Sequence, residues 1–297
     1  MINSFLVLHK DRAYTVSSVI LFVQFCHIYF SIHGAPPSTL GPRMFSLVGK
    51  KAVVLGIANE QSIAYGCAKA FRDQGAALAV TYLNAAAEPH VRPLATELGA
   101  ELVLPLDVRD DGQFAQLFAA IREHWGSIDI CLHSIAFCPR EDLHSRVVDC
   151  SRAGFGTAMD ISVHSFIRMV HGAAPLMPQG GTCMTVSFYG AEKVVDHYNI
   201  MGPVKAALEA VTRSMAAELG PNRISVNALS PGPLKSRAAS GIADFDELLE
   251  RAAERAPTRH LATIEDVGAY AAFLASREAG SVTGGVHYID GGYHIRA

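Results

Sequence analysis

Two side chains in the C-terminal half could act on one substrate: Tyr198, a phenol able to donate a proton or a hydrogen bond, and Lys205, an amine seven residues later. A nearby ammonium favours ionisation of a phenol or strengthens its donation. Such a pair can stabilise an oxygen that gains negative charge in a transition state. On an ideal helix, steps of four and of seven both leave the partners on roughly one face, with axial separations of about 6 Å and about 10.5 Å. The residue four before the lysine is Met201, which offers no acid, and Pro203 points to a helix starting near that position.

A second constellation lies near the start of the alternating pattern. The apolar run Lys51–Leu55 ends at Gly56, and Ser62-Ile63-Ala64-Tyr65-Gly66 opens a helix. A strand, a glycine turn and a helix N-terminus together suit a dinucleotide pyrophosphate, because free N–H groups and the helix dipole face the phosphates. Gly56 would admit close backbone approach, and Ser62 is expected to cap the helix and to offer its hydroxyl to phosphate, beside Ile63. The spacing is not Gly-x-Gly-x-x-Gly, so the same turn could simply join a strand to a helix. After the next strand stands Tyr82-Leu83-Asn84-Ala85-Ala86, with neither an acid for ribose hydroxyls nor a cation for a 2′-phosphate. This favours NADH, while Arg92 leaves NADPH open.

These residues need a scaffold, and the chain from Lys50 onward provides one in its periodicity. Short apolar runs at 51–56, 77–82, 102–106, 129–134, 181–187, 223–228 and 286–289 alternate with amphipathic stretches near 62–74, 88–98, 111–125, 160–176, 203–219 and 265–276. That alternation predicts an α/β fold, a single doubly wound parallel sheet with helices on both faces. No composition shift or linker after Met44 marks a second domain.

Taken together, the loop at Gly56, the Tyr198/Lys205 pair and the segments Ser187-Phe188-Tyr189-Gly190-Ala191-Glu192-Lys193 and Asn227–Leu234 resemble the bacterial enoyl-acyl carrier protein reductases, a divergent branch of the short-chain dehydrogenase/reductases. The resemblance runs over residues 46–295. Ordinary short-chain dehydrogenases carry the tyrosine four residues before the lysine, where this chain has Met201. Carbonyl reduction delivers hydride to the carbon bearing the oxygen. Conjugate reduction of an enoyl thioester delivers it to C3 and leaves charge on a more distant oxygen, so its acid should be displaced.

The resemblance implies a Rossmann-type fold with a small substrate-binding loop or helix insertion around Ala238–Ile242, a homotetramer, and reduction of a trans-2-enoyl thioester with NADH in fatty-acid biosynthesis. It implies Tyr198 as the donor to the thioester oxygen and Lys205 as the holder of the nicotinamide ribose. It further implies Asp107, Val108 and Ile135 around the cofactor, Leu234 and Ser236 at the carboxamide and phosphate, and Cys138 and Phe188 beside the acyl group. Phe188 departs from the family, which usually has a second tyrosine there; Tyr189 cannot simply replace it, because neighbours on an extended backbone point to opposite sides. Ala136 replaces the glycine of the family's Ser-Ile-Gly segment. The acyl group would ride on acyl carrier protein or on CoA. Residues 241–256 carry Asp244, Asp246, Glu247, Glu250 and Glu254 against Arg251 and Arg255, a poor match for an acidic carrier. Two other functions fit the same residues: a carbonyl-reducing dehydrogenase, which Met201 opposes, and a non-catalytic nicotinamide-binding regulator.

Composition sets the outer bounds. The 297 residues are 50% hydrophobic, enough for a substantial core, and a formal charge of -3 gives no basic field for nucleic acid. The six cysteines are scattered without metal-ligand spacing or scaffold density, so reduced thiols, a cytoplasmic protein and no metal centre are expected. Residues 1–43 differ: Lys10 and Arg12 precede an apolar run, Val16–Ile32, interrupted by Gln24 and His27, with no good small-x-small cleavage site after it. We expect an extension outside the fold, an enzyme domain over 44–297, and no membrane association of that domain.

Overall fold

Apolar side chains that alternate along a strand must find cover on both sides of a sheet. In the computed structural model, which describes residues 45–234 and 245–296, seven strands meet that demand. They are β1 (Lys51–Leu55), β2 (Ala77–Tyr82), β3 (Leu102–Pro105), β4 (Ile130–His133), β5 (Gly181–Val186), β6 (Ile224–Pro231) and β7 (Val286–Ile289). The order is β3-β2-β1-β4-β5-β6-β7, and every pairing is parallel.

The helices are α1 (Ile63–Asp73), α2 (Glu88–Glu97), α3 (Asp111–Trp125), α4 (Arg140–Leu143), α5 (Arg152–Met159), α6 (Ser165–Ala173), α7 (Met201–Leu219), α8 (Phe245–Arg255) and α9 (Ile264–Ala275). Val53 and Leu55 of β1 bury towards Phe118 of α3, Phe166 of α6 and Val204 and Leu208 of α7. Ala52 and Val54 bury on the opposite face, with Phe71 of α1 and Ala271 of α9. Helices α1 and α9 cross at Gly66 and Gly268, where a Cβ on either would come within 2.5 Å of a backbone oxygen of the other helix. The expected doubly wound Rossmann-type sheet is therefore present, and each expected strand forms.

Several local expectations fail. The helix expected at 160–176 belongs to a longer helical run that starts at Arg152 as α5, passes through a π-helical turn at Asp160–His164 and continues as α6. Neither α4 nor α8 was expected from the sequence: α4 spans four residues, too few for a 3.6-residue repeat, whereas α8 has one at Phe245, Leu248, Leu249 and Ala252 that its acidic residues overshadow. Strand β6 runs on to Pro231, three residues past the end expected at 228. Ser236, the loop 238–242 and the extension 1–43 lie outside the described residues. Among the described residues, no helix is long and apolar enough to cross a membrane.

Candidate active site

Strand β1 lies between β2 and β4, so the chain leaves it in opposite directions and a crevice opens at the carboxyl ends of the strands. A cleft of about 700 Å³ fills this crevice, lined among others by Gly56, Asp107, Ile135, Tyr198 and Met201.

The first wall is built from short loops. Gly56 has φ +105°, and a Cβ there would lie 2.1 Å from the Ser134 carbonyl oxygen, so only glycine fits. Ser62 stands at the N-cap position of α1 yet makes no side-chain cap to the helix. Instead its Oγ accepts from the N–H groups of Ala58 and Asn59, both at 3.0 Å, and donates to Asn59 Oδ1 at 3.1 Å. The expected cap is thus corrected: the hydroxyl closes the turn before the helix, and the backbone N–H groups at Ile63 carry the anion-binding capacity of the helix end. Asp107 accepts from Arg109 Nε at 3.0 Å and Nη2 at 2.6 Å, and the guanidinium holds its carboxyl below the usual range. Val108, Ile135 and Cys138 also line the cleft.

The second wall is assembled over longer distances. Helix α7 begins at Met201, two residues before Pro203. Tyr198 therefore precedes the helix, and its relation to Lys205 is not the helical-face geometry expected from spacing. His197 and Asn199 on either side have φ of +62° and +42°, sparsely populated conformations for non-glycine residues that aim the phenol into the cleft. Asn199 Nδ2 donates to the Leu143 carbonyl at 2.7 Å, tying this turn to α4.

Lys205 is buried on α7 and donates from Nζ to the Val186 carbonyl at 2.7 Å. Burial pulls its pKa down to about 8, against the opposing effect of Glu209. Burial pushes the Tyr198 phenol above its ordinary value, and Glu209 pushes the same way. Lys205 was expected to favour ionisation of this phenol or to strengthen its donation; the surroundings favour the neutral phenol, a donor. His133, fully buried below the cleft, is drawn down to about 3 by burial and then by the Lys205 charge. Its Nε2 lies 2.7 Å from Ser165 Oγ and its Nδ1 3.1 Å from Thr185 Oγ1. Ser165 Oγ donates to the Ile161 carbonyl at 2.6 Å, so Nε2–H is the donor towards Ser165.

Comparison with known proteins joins these features. The sequence profile for "Enoyl-(Acyl carrier protein) reductase" matches residues 56–294. The chain belongs to this family. It is 46% identical over 246 residues to enoyl-[acyl-carrier-protein] reductase [NADH] 1 of Rhizobium meliloti, covering 83% of this chain and 90% of that protein. It is 46% identical over 250 residues to the Aquifex aeolicus enoyl-[acyl-carrier-protein] reductase [NADH] FabI, covering 84% and 93%. Among solved structures, the Anaplasma phagocytophilum enzyme in complex with NAD superposes with a TM-score of 0.82 at 44% identity, covering 85% of this chain and 96% of that one. The Bacillus cereus enzyme with NADP+ and indole naphthyridinone gives 0.83 at 42% identity, covering 84% and 98%.

Within this enoyl reductase fold, not every expected residue faces the cleft. Phe188 packs in an aromatic cluster, with ring centroids 4.8 Å from both Tyr189 and Tyr198. Tyr189 turns the other way, its hydroxyl 3.4 Å from that of Tyr293, which removes it as a second acid. Leu234 is buried and lines a neighbouring groove with Glu60 and Gln61. Sequence reasoning missed Leu143 and Ile161, which line the cleft from α4 and the π-helical turn. It also missed Ser162, which accepts from the Phe137 N–H at 3.0 Å and donates to the Phe137 carbonyl at 3.2 Å. No spacing in the sequence signals such contacts. Among the described residues, no cluster of three or more His, Cys, Asp or Glu could hold a metal ion.

Proposed function

We propose that this chain is an NADH-dependent enoyl-[acyl-carrier-protein] reductase that saturates the trans-2 double bond of an enoyl thioester in fatty-acid biosynthesis. The observation that carries the reading is the cleft lining, where Met201 occupies the place four before Lys205 and the phenol of Tyr198 is displaced from it. A displaced donor suits the oxygen of a conjugated thioester.

The residues present fit a nicotinamide dinucleotide. Gly56 leaves the space a Cβ would fill, Ile63 offers the helix N-terminus, and Ser62 holds the turn in shape. Asp107 and Val108 would bracket the adenine, Ile135 would lie along the cofactor, and Lys205 would reach the nicotinamide ribose. Leu234 and Ser236 would meet the carboxamide and a phosphate through the chain after β6. When bound, NADH supplies the hydride that adds to C3. Tyr198 then donates to the thioester oxygen as charge develops there, in an environment that holds its proton until that moment. Ile135, Leu143 and Ile161 exclude water, and Cys138 flanks the acyl end; Phe188 backs the Tyr198 ring and lacks a hydroxyl, so one acid serves the reaction.

NADH is preferred over NADPH because Leu83 and Asn84 follow β2 and Arg92 is held by Glu88 on its own helix. Glu247, Glu250 and Glu254 on α8 are exposed, which disfavours docking of an acidic carrier protein relative to a basic face, and CoA is the alternative carrier. We further propose a cytoplasmic homotetramer whose enzyme domain begins at Met44. The cysteines among the described residues are all free, which supports a reducing compartment, and the exposed side chains Val147, Val148 and Phe155 support self-association.

A screen of cofactor oxidation with crotonyl-carrier protein, crotonyl-CoA and ketones, each with NADH and NADPH, tests the reading. Reduction of the crotonyl thioesters with higher kcat/KM for NADH is expected. Turnover of ketones alone would replace it with carbonyl reduction, and no turnover of any substrate would favour a binding role. Light scattering on chains starting at Met1 and Met44 tests the assembly and the boundary.

A further inference from the structure

Residues 107–110 form a β-turn at the rim of the cleft, closed by the Asp110 N–H donating to the Asp107 carbonyl at 2.9 Å. Asp107, Val108 and Arg109 all line the cleft. In such a turn the orientation of the middle peptide, here the one between Val108 and Arg109, is what separates the common turn types. That peptide is clamped on both sides. Its N–H, which belongs to Arg109, donates to Asp107 Oδ1 at 3.0 Å. Its carbonyl, which belongs to Val108, accepts from Arg168 Nη2. The first partner is local, whereas the second comes from α6, 60 residues further along the chain. Val108 is buried, and its own N–H has no partner among the described residues.

The stability of the fold does not by itself account for Arg168. Its side chain is largely buried, with Cζ 5.2 Å from the centre of the Phe114 ring on α3. Nη1 donates to Asp111 Oδ1 at 2.7 Å, Asp160 Oδ1 lies 3.5 Å from Nη2, and Nε is buried with no partner among the described residues. A buried donor without an acceptor is destabilising, and Asp111 is 87% exposed, so the ion pair to it offsets little of that cost. The remaining contact is the one to the Val108 carbonyl, at the edge of the cleft.

We infer that Arg168 is a positioning residue for the adenine half of the cofactor: holding the Val108 carbonyl from α6, it fixes the turn that presents the Val108 N–H and the Asp107 carboxylate to the base. The inference rests on the cleft being the dinucleotide site of the proposed reduction. An adenine edge carries an amino donor beside a ring-nitrogen acceptor, which a carboxylate and an N–H match. Arg168 itself does not line the cleft. A contact to adenine is the same before and during hydride transfer, so its loss should raise KM for NADH and leave kcat alone.

The test uses the full chain with Arg168→Met, which keeps an apolar stem against Phe114 but removes every donor, and Arg168→Lys, which restores one cation without the fork. Calorimetric titrations give Kd for NADH, for ADP-ribose, which carries the adenine half, and for reduced nicotinamide mononucleotide, which lacks it. Steady-state kinetics with crotonyl-CoA give kcat and KM. In Arg168→Met, Kd for NADH and for ADP-ribose should rise about 10-fold, the size of one hydrogen bond in affinity. Kd for the mononucleotide, kcat at saturating NADH and KM for crotonyl-CoA should stay near parent values, and Arg168→Lys should recover part of the loss. Parent-like affinities in Arg168→Met would overturn the inference, and so would equal losses for ADP-ribose and the mononucleotide, the pattern of a loosened fold. If Arg168→Met fails to fold, Arg168→Lys carries the same comparison: a loss confined to adenine-bearing ligands supports the role, and no loss or an equal loss overturns it. A parent that binds NADH but reduces no crotonyl thioester overturns the functional reading, and the titrations then decide the inference alone; a parent that binds no NADH overturns both.

Discussion

The two walls of the cleft are built differently. On the wall formed by β1 and β3, polar groups satisfy one another within a few residues: Ser62 with Ala58 and Asn59, and Asp107 with Arg109. On the wall formed by α7 and the turn before it, the partners come from distant elements, as Asn199 with Leu143 and Ser187 with Glu209 show. The first wall keeps its charges at the surface and paired. The second buries Lys205, Glu209 and His133, and burial moves all three away from their ordinary proton affinities. A binding cradle can be local and electrostatically quiet, whereas a site that moves protons gains from groups held out of water.

The sharpest test of the contrast is Tyr198→Phe. It keeps the ring and its packing on Phe188 but deletes the donor, so kcat should fall roughly 10²–10³-fold, or about 2.7–4 kcal/mol, with cofactor affinity preserved. Steady-state kinetics beside a cofactor titration would show it, and parallel losses of affinity and stability would instead make the residue structural. Gly56→Ala attacks the other wall: the added Cβ meets the Ser134 carbonyl and φ is positive, so about 2–3 kcal/mol of stability should be lost, along with cofactor affinity. An unchanged Tm and an unchanged cofactor Kd would show that the cradle is less fixed than its geometry implies.

His133 gives a pH test. Its folded pKa of about 3 lies below the unfolded value of about 6.5, so the unfolded state binds more protons between the two. Its contribution to stability is full above about 6.5 and declines as pH falls, by up to about 1.4 kcal/mol per pH unit. The drop in Tm from neutral to mildly acidic pH should therefore be smaller in His133→Gln than in the parent, and equal drops would assign acid sensitivity elsewhere. The smallest effect is expected for Arg109→Ala. This exposed pair with Asp107 should leave stability nearly unchanged, as a denaturant titration would show.

How legible each wall was in the sequence follows from the same contrast. Every strand was visible, because a buried parallel strand needs an apolar run on both faces, and the glycine at the end of β1 was visible because no other residue can take that conformation beside Ser134. The direction of the Ser62 side chain was not, since a hydroxyl at a helix start can turn forward to the helix or back to its own loop. Nor was α4, whose four residues carry too few apolar repeats to be told from loop, whereas the apolar repeat of α8 was legible and was overshadowed by its acidic residues.

What the sequence determined by itself was therefore the order of strands and helices, the position of the dinucleotide crevice and the presence of a tyrosine and a lysine without an intervening acid at Met201, because these depend on local pattern and residue type. Only the tertiary structure decided that Tyr198 lies before α7 rather than on it, that Tyr189 turns to Tyr293, and that Glu209 is buried with Ser187 as its donor. Those outcomes depend on which distant segments compete for the same space and for the same hydrogen-bonding atoms, which a linear spacing does not encode.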